Sequence, residues 1–215
     1  MNSNITSKNT RRAIQALCGL ICVAFGVALS AKAGLGTTPI SSLPYTLSCI
    51  SPLSLGTYTF IVNMTFLLLQ VLILKQEYKV SQFIQIPALF VFSVLIDLWM
   101  KLFGGIGTLN YGFMLGLCLG GCFFVAFGVY LQVKANAVML PGDGLAKVIA
   151  SKTKKEFGKI KIIFDSSLVG ISIIISLIVK HKILGVREGT IIAAFLVGSI
   201  IRFLSKRVHI FDIDT

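Results

Sequence analysis

Residues 19–43 read GLICVAFGVALSAKAGLGTTPISSL, and residues 121–145 read GCFFVAFGVYLQVKANAVMLPGDGL. Aligned without a gap at an offset of 102, the two stretches share eleven identities in twenty-five positions. Apolar composition explains the coincidence of one Val or Leu with another. It does not explain Gly19 with Gly121, Gly26 with Gly128, Lys32-Ala33 with Lys134-Ala135, or Pro39 with Pro141. Gly56 meets Gly158 at the same offset; after a three-residue insertion Ala88, Phe90 and Ile96 meet Ala193, Phe195 and Ile201 at an offset of 105. The chain reads as a repeat of about one hundred residues, the first copy about 13–103 and the second about 110–205, within one membrane domain covering 1–215.

The composition says what medium the repeat lives in. Of 215 residues 55% are hydrophobic and 13% charged, against roughly a quarter charged in a soluble domain. Six apolar runs lie near 13–33, 57–74, 83–103, 110–133, 161–179 and 186–204. Each approaches the roughly 20 residues a helix needs to cross a bilayer. None shows the ten-residue alternation of a barrel strand, and open strands leave backbone groups unpaired in lipid. The expected fold is all-α: a polytopic membrane helix bundle with six transmembrane helices and the lipid bilayer as its first partner. The first run follows Lys8, Arg11 and Arg12 and ends on Ala31-Lys32-Ala33, which has the look of a signal-peptide cleavage site. It is longer than a signal core and recurs deep in the chain, so retention is expected.

Charge then sets orientation. Placing the N-terminus inside puts fifteen Lys and Arg on the inner side and five on the outer, which orients both termini to the cytoplasm. This pattern also accounts for the net charge of +12, and no nucleic-acid partner is expected. With three spans per copy, the second copy enters the membrane from the opposite side. This 3+3 inverted repeat is the topology of many secondary transporters.

The stretches after the first and fourth runs carry the candidate site. Thr37-Thr38-Pro39 and Leu140-Pro141-Gly142 each read as a break followed by a new short helix, with Thr38 as a cap and Pro39 at the first helical position. Free N–H groups at such a start hold an anionic group. Thr37, Thr38 and Ser41 add neutral donors, and Asp143 favours a cation, a proton or its own helix start. Inside the spans, Asn63 and Asp165 occupy matching positions, as do Asp97 and Arg202. A charge at mid-bilayer costs at least about 2.5–3.5 kcal/mol on insertion scales, so such groups face a partner or water. The candidate substrate-binding residues are Thr37, Thr38, Pro39, Ser41, Asn63, Pro141, Gly142, Asp143 and Asp165. The competing reading of each loop is a capped surface turn.

Gly112, Gly116 and Gly120 form a small-residue stripe, expected to pack within the bundle and secondarily to form a homodimer. Cys18 with Cys22 and Cys118 with Cys122 are expected as packing residues rather than metal ligands. No cofactor is implied. Phosphate-binding, zinc-protease and serine-elbow motifs are absent, so an enzyme is not expected.

Gly34-Leu35-Gly36-Thr37-Thr38-Pro39-Ile40-Ser41-Ser42-Leu43-Pro44, Ser54-Leu55-Gly56, Phe157-Gly158-Lys159-Ile160-Lys161, Asp165, and Gly185-Val186-Arg187-Glu188-Gly189-Thr190 resemble the YczE/YyaS/YitT group of bacterial multi-pass membrane proteins. The resemblance runs from about 13 to 204 and implies a bacterial plasma-membrane location. It carries no agreed catalytic or binding residues. Longer members have a soluble C-terminal domain, which this chain, ending at Thr215, is expected to lack. The functional expectation is a secondary transporter or facilitator of a small solute, with an anionic solute favoured by the helix starts. The alternative is a non-transporting membrane scaffold or regulator, docked through the basic loop around Lys152, Lys154 and Lys155.

Overall fold

The computed structural model describes residues 2–78, 80–105, 107, 110–135 and 139–207, with side chains from Thr10 onward and not at 80–81. The helices are α1 (Asn2–Ala33), α2 (Pro39–Ile50), α3 (Leu55–Leu74), α4 (Gln85–Leu102), α5 (Tyr111–Lys134), α6 (Pro141–Thr153), α7 (Phe157–Lys180) and α8 (Glu188–Arg207). Short 3-10 turns flank α4, and no strand occurs among the described residues. Among the described residues, six segments are long and apolar enough to cross a membrane: Thr10–Ala33, Leu55–Glu77, Gln82–Gly105, Tyr111–Lys134, Phe157–Lys180 and Glu188–Arg207. The fifth begins at Phe157 rather than 161, which moves Lys159 and Lys161 from the preceding loop into the helix.

Helix ends follow local chemistry. Gly34 and Gly36, at φ 70° and 98°, take the left-handed backbone that ends α1. Ser54 caps α3, accepting from the Thr57 N–H at 3.1 Å. Asp97 of α4 reinforces that cap, accepting from the Gly56 N–H at 2.7 Å and the Ser54 hydroxyl at 2.6 Å. Asp97 is thus an anion at a helix N-terminus, whereas Arg202, its match, is exposed.

The centre of the bundle is α1 laid antiparallel on α5. Gln15 Nε2 donates to Leu131 O at 3.2 Å near one end of the contact. Further along, a Cβ on Gly19 would lie 2.7 Å from Gly128 O, and one on Gly26 2.6 Å from Gly121 O. The contact is reciprocal: a Cβ on Gly128 would lie 2.5 Å from Gly19 O, and one on Gly121 2.8 Å from Gly26 O. Backbone meets backbone, as small residues allow in membranes. Gly112 and Gly116 do not share this role. A Cβ on Gly116 would have nothing within 4 Å, and one on Gly112 would meet only Asn110 of its own cap. The stripe therefore contributes at Gly120 alone, which faces Leu29. Around this axis α4 packs on α1, α8 on α5, and α3 on α4. Phe25 sits edge-on to both Trp99 and Phe124, with centroids at 4.9 and 4.7 Å. Cys118 and Cys122 are buried with Ala33, Leu35 and Ala193.

The two short helices pack crosswise, α2 on α7 and α6 on α3. At about 1.5 Å per residue each is roughly 18–20 Å long, little more than half a hydrocarbon core of ~30 Å.

Candidate functional site

The starts of α2 and α6 meet. Ile40 Cδ1 lies 2.6 Å from where a Cβ on Gly142 would be, and Phe66, midway along α3, lies 3.4 Å from the same point. From that junction the short helices diverge. Along α2, the Ser42 hydroxyl is 3.3 Å from that of Ser172 on α7, and Thr46 donates to Leu184 O, beyond the end of α7, at 3.1 Å. Along α6, Gly144 faces the Gln70 amide of α3, and Lys152 reaches Glu77, past the end of α3, at 2.7 Å. Each short helix thus starts deep in the bundle and ends near the end of a span.

At the α2 start, Thr37 and Thr38 are buried. Thr38 occupies the cap position ahead of Pro39, yet its side chain makes no cap hydrogen bond. Its hydroxyl pairs instead with that of Ser41 at 3.2 Å, while the Ser41 N–H reaches Thr38 O at 2.9 Å. Thr37 donates to Thr38 O at 3.3 Å. Ser42 donates to Pro39 O at 2.6 Å. These hydroxyls form one neutral cluster.

The α6 start is different. Asn63 Oδ1 accepts from the Gly142 N–H at 3.2 Å, while Asn63 Nδ2 donates to Thr59 O at 2.9 Å. Gln70 donates to Pro141 O at 2.9 Å. The N–H expected to be free for an anion is therefore held by an amide of the neighbouring span. Asp143 leans the other way, pairing with Lys161 at 2.7 Å, and Lys161 pairs in turn with Asp165 at 2.8 Å. The three side chains are between about a fifth and a third exposed (34%, 23% and 22%). Two carboxylates share one ammonium, so with all three ionised the cluster carries one net negative charge.

All nine expected site residues thus gather in two clusters joined at the Ile40–Gly142 contact. Asn63, Pro141 and Gly142 share hydrogen bonds, and Asp143 and Asp165 meet through Lys161. Lys161 and Gln70 were not among the expected site residues. Lys161 stands four residues before Asp165, the spacing at which opposite charges pair on a helix. Gln70 carried only the signal of an amide in an apolar run. The matching loop ahead of α6, Asn136-Ala137-Val138, lies outside the described residues, as does His209. Along α2, the Tyr45 hydroxyl donates to Ala31 O at 2.9 Å.

A cavity of about 490 Å³ opens beside the α6 start, lined by Arg12, Leu20, Ala88, Gln132, Ala135 and Leu140 among others. It lies among α1, the beginning of α4 and the end of α5.

Comparison with known proteins gives a family without a chemistry. The chain is similar to a Bacillus subtilis (strain 168) protein described as "Uncharacterized protein YyaS", at 23% identity over 185 residues, spanning 85% of this chain and 87% of that protein. No solved structure matches. Residues 10–206, reaching into all six spans, match the family described as "Family of unknown function (DUF6198)", and the chain belongs to that family.

Proposed function

We propose that this protein is a secondary transporter or facilitator of a small solute, made of two inverted three-span halves in a bacterial plasma membrane with both termini cytoplasmic. The observation that carries the reading is the meeting of Ile40 and Gly142, residues 102 apart, at the starts of two short helices that run to opposite ends. Inversion draws further support from α1 and α5. Gly19 opposes Gly128 while Gly26 opposes Gly121. A two-fold rotation that exchanges 19 with 121 and 26 with 128 turns one contact into the other. Its axis lies across antiparallel spanning helices and so along the membrane plane. Carriers of this architecture bind solute at broken helices near the midplane.

The chemistry follows from the junction. The α2 start aims partial positive charge at the junction, which favours a solute with an anionic group met from that side, whereas at the α6 start the Gly142 N–H is held by Asn63. Thr37, Thr38 and Ser41 supply neutral donors. The Asp143–Lys161–Asp165 cluster takes up the coupling proton or cation, because one added positive charge neutralises it. No bond-making step belongs to this reading.

The test is flux in sealed vesicles containing the purified protein, screened over small organic and inorganic anions with neutral solutes as controls. Asp165→Asn and Lys161→Gln are each expected to reduce flux at least tenfold while the protein still elutes as a folded species. Flux untouched by Asp165→Asn places the site elsewhere. Vesicles tight to every solute tried remove the carrier role.

A further inference from the structure

Lys161 stands where a bound cation would. Its Nζ lies 2.7 Å from Asp143 Oδ1 on α6 and 2.8 Å from Asp165 Oδ1 on α7, so one ammonium joins the two helices. Asp143 is the third residue of α6, a place from which an acid ordinarily serves its own helix start. The Gly142 N–H goes instead to Asn63 at 3.2 Å, and Asp143 reaches across to Lys161.

The surroundings leave the charge of the cluster unbalanced. α7 packs on α2 and α6. α2 contains no Asp, Glu, Lys, Arg or His. Its Tyr45 hydroxyl donates to Ala31 O, toward α1, and Cys49 lies exposed near its far end. On α6, Lys147 is exposed one turn past Asp143, and Lys152 pairs with Glu77 at 2.7 Å. At the beginning of α7, Glu156 and Lys159 lie 3.9 Å apart and largely exposed. On the apolar side Phe164 stands edge-on to Phe66 of α3, with centroids at 5.4 Å. Among the described residues, then, Asp143 and Asp165 share one ammonium within ion-pair distance. A charge in excess inside a span calls for a partner or water.

We infer that the cluster is a proton site closed to metal cations: Lys161 fills the cation position, and the one excess negative charge is cancelled by a proton that the two carboxyls hold as a unit. The inference rests on the carrier reading above and names its coupling ion. A metal ion such as Mg²⁺ or Ca²⁺ needs about six or more oxygen ligands. Here the two carboxylates that would supply the first of them are held by an ammonium tethered four residues from Asp165, which cannot diffuse away. Uptake forms one O–H bond on a carboxylate oxygen, with the proton drawn from water, and leaves the other carboxylate paired with Lys161. Release returns the proton to water. Because both carboxyls lean on one counter-charge, the proton belongs to the pair.

The C=O stretch of a protonated carboxyl reads this proton in infrared pH-difference spectra of the purified protein, with no solute needed. The double variant Asp143→Asn, Asp165→Asn serves as the blank. Asp143→Asn and Asp165→Asn are each expected to move the remaining signal to more acidic buffer by about one pH unit or more, since the carboxylate left behind has Lys161 to itself. Replacing choline by sodium or potassium at constant ionic strength is expected to leave the wild-type signal in place. In Lys161→Ala the same exchange is expected to move the signal to more acidic buffer, as the vacated position admits the metal. A wild-type signal displaced by sodium overturns the inference, and this measurement stands whether or not Lys161→Ala folds. Single Asn variants that titrate as the wild-type pair does overturn it as well, and so does a folded Lys161→Ala indifferent to sodium. Flux separates the two claims. A pair that behaves as described in vesicles tight to every solute keeps the proton site and sinks the carrier. Flux driven by a sodium gradient and indifferent to a pH gradient keeps the carrier and sinks the proton site.

Discussion

The starts of α2 and α6 share a layout and differ in chemistry. Counted at the offset of 102, Ser41 stands where Asp143 does, Thr59 where Lys161 does, Asn63 where Asp165 does, and Gln70 where Ser172 does. The contacts correspond as well: Ser42 touches Ser172, and Gly144 touches Gln70. Yet the α2 start is bordered by hydroxyls, and the α6 start by an amide cap on one side and an ion cluster on the other. Matched backbones hold the two helix starts together, and only one of them is charged. A shared layout brings the two helix starts together, and departures from it decide which of them carries charge.

The comparison breaks hardest at the scaffold. Gly26→Ile drives a side chain into the backbone of Gly121 and Val125, so α1 and α5 can no longer meet at this point. Overpacking costs about 1–3 kcal/mol and occasionally more, and the top of that range is expected here, read as lost folded yield and a lowered Tm in detergent. Gly116→Leu, in open space, is expected to change stability by less than about 0.5 kcal/mol.

Matched substitutions at the two starts sharpen the contrast. Lys161→Met leaves Asp143 and Asp165 facing each other. A fully buried pair broken this way costs about 3–5 kcal/mol; the partial exposure of all three groups reduces the expectation to about 1–3. Adding Asp165→Asn is expected to restore at least half of the loss. Thr59→Val, its counterpart, gives up only the hydrogen bond to Leu55 O and is expected to cost under about 1 kcal/mol. Equal losses from Lys161→Met and Thr59→Val, in urea or thermal unfolding, erase the asymmetry.

Asn63→Ala removes the cap on Gly142 and the bond to Thr59 O, with an expected cost of about 1–2 kcal/mol. Hydrogen exchange at the first turn of α6 is expected to rise more than at α2. Ser42→Ala is the mildest change at the two starts. Ser172 keeps its bond to Leu168 O, so an effect of about 0.5 kcal/mol is expected.

Much of this organisation was legible in the sequence because it is written in length and spacing. Six apolar runs of bilayer length specify six spans, and a Pro at matched places marks two short helices. The site was legible in part. Asp143 and Asp165 stand out as acids in an apolar chain, but Lys161 hid among loop lysines because the α7 boundary fell four residues late. The cap on Gly142 was invisible, since nothing local shows that an amide 79 positions away ends beside a helix start. Gly112 and Gly116 misled for a related reason. Spacing reveals that glycines share a face, and tertiary packing alone decides whether anything lies against it.

The α1–α5 contact has a mechanical corollary. Interlocked side chains act as teeth, and two helices so meshed turn past one another only by lifting each tooth from its socket. Where Gly19 lies on Gly128 and Gly26 on Gly121, each glycine is a socket that holds one tooth: Gln132 at Gly19, Val125 at Gly26, Ser30 at Gly121 and Val23 at Gly128. The seam is a keyed joint: the glycines that bring α1 and α5 together also hold them in one register.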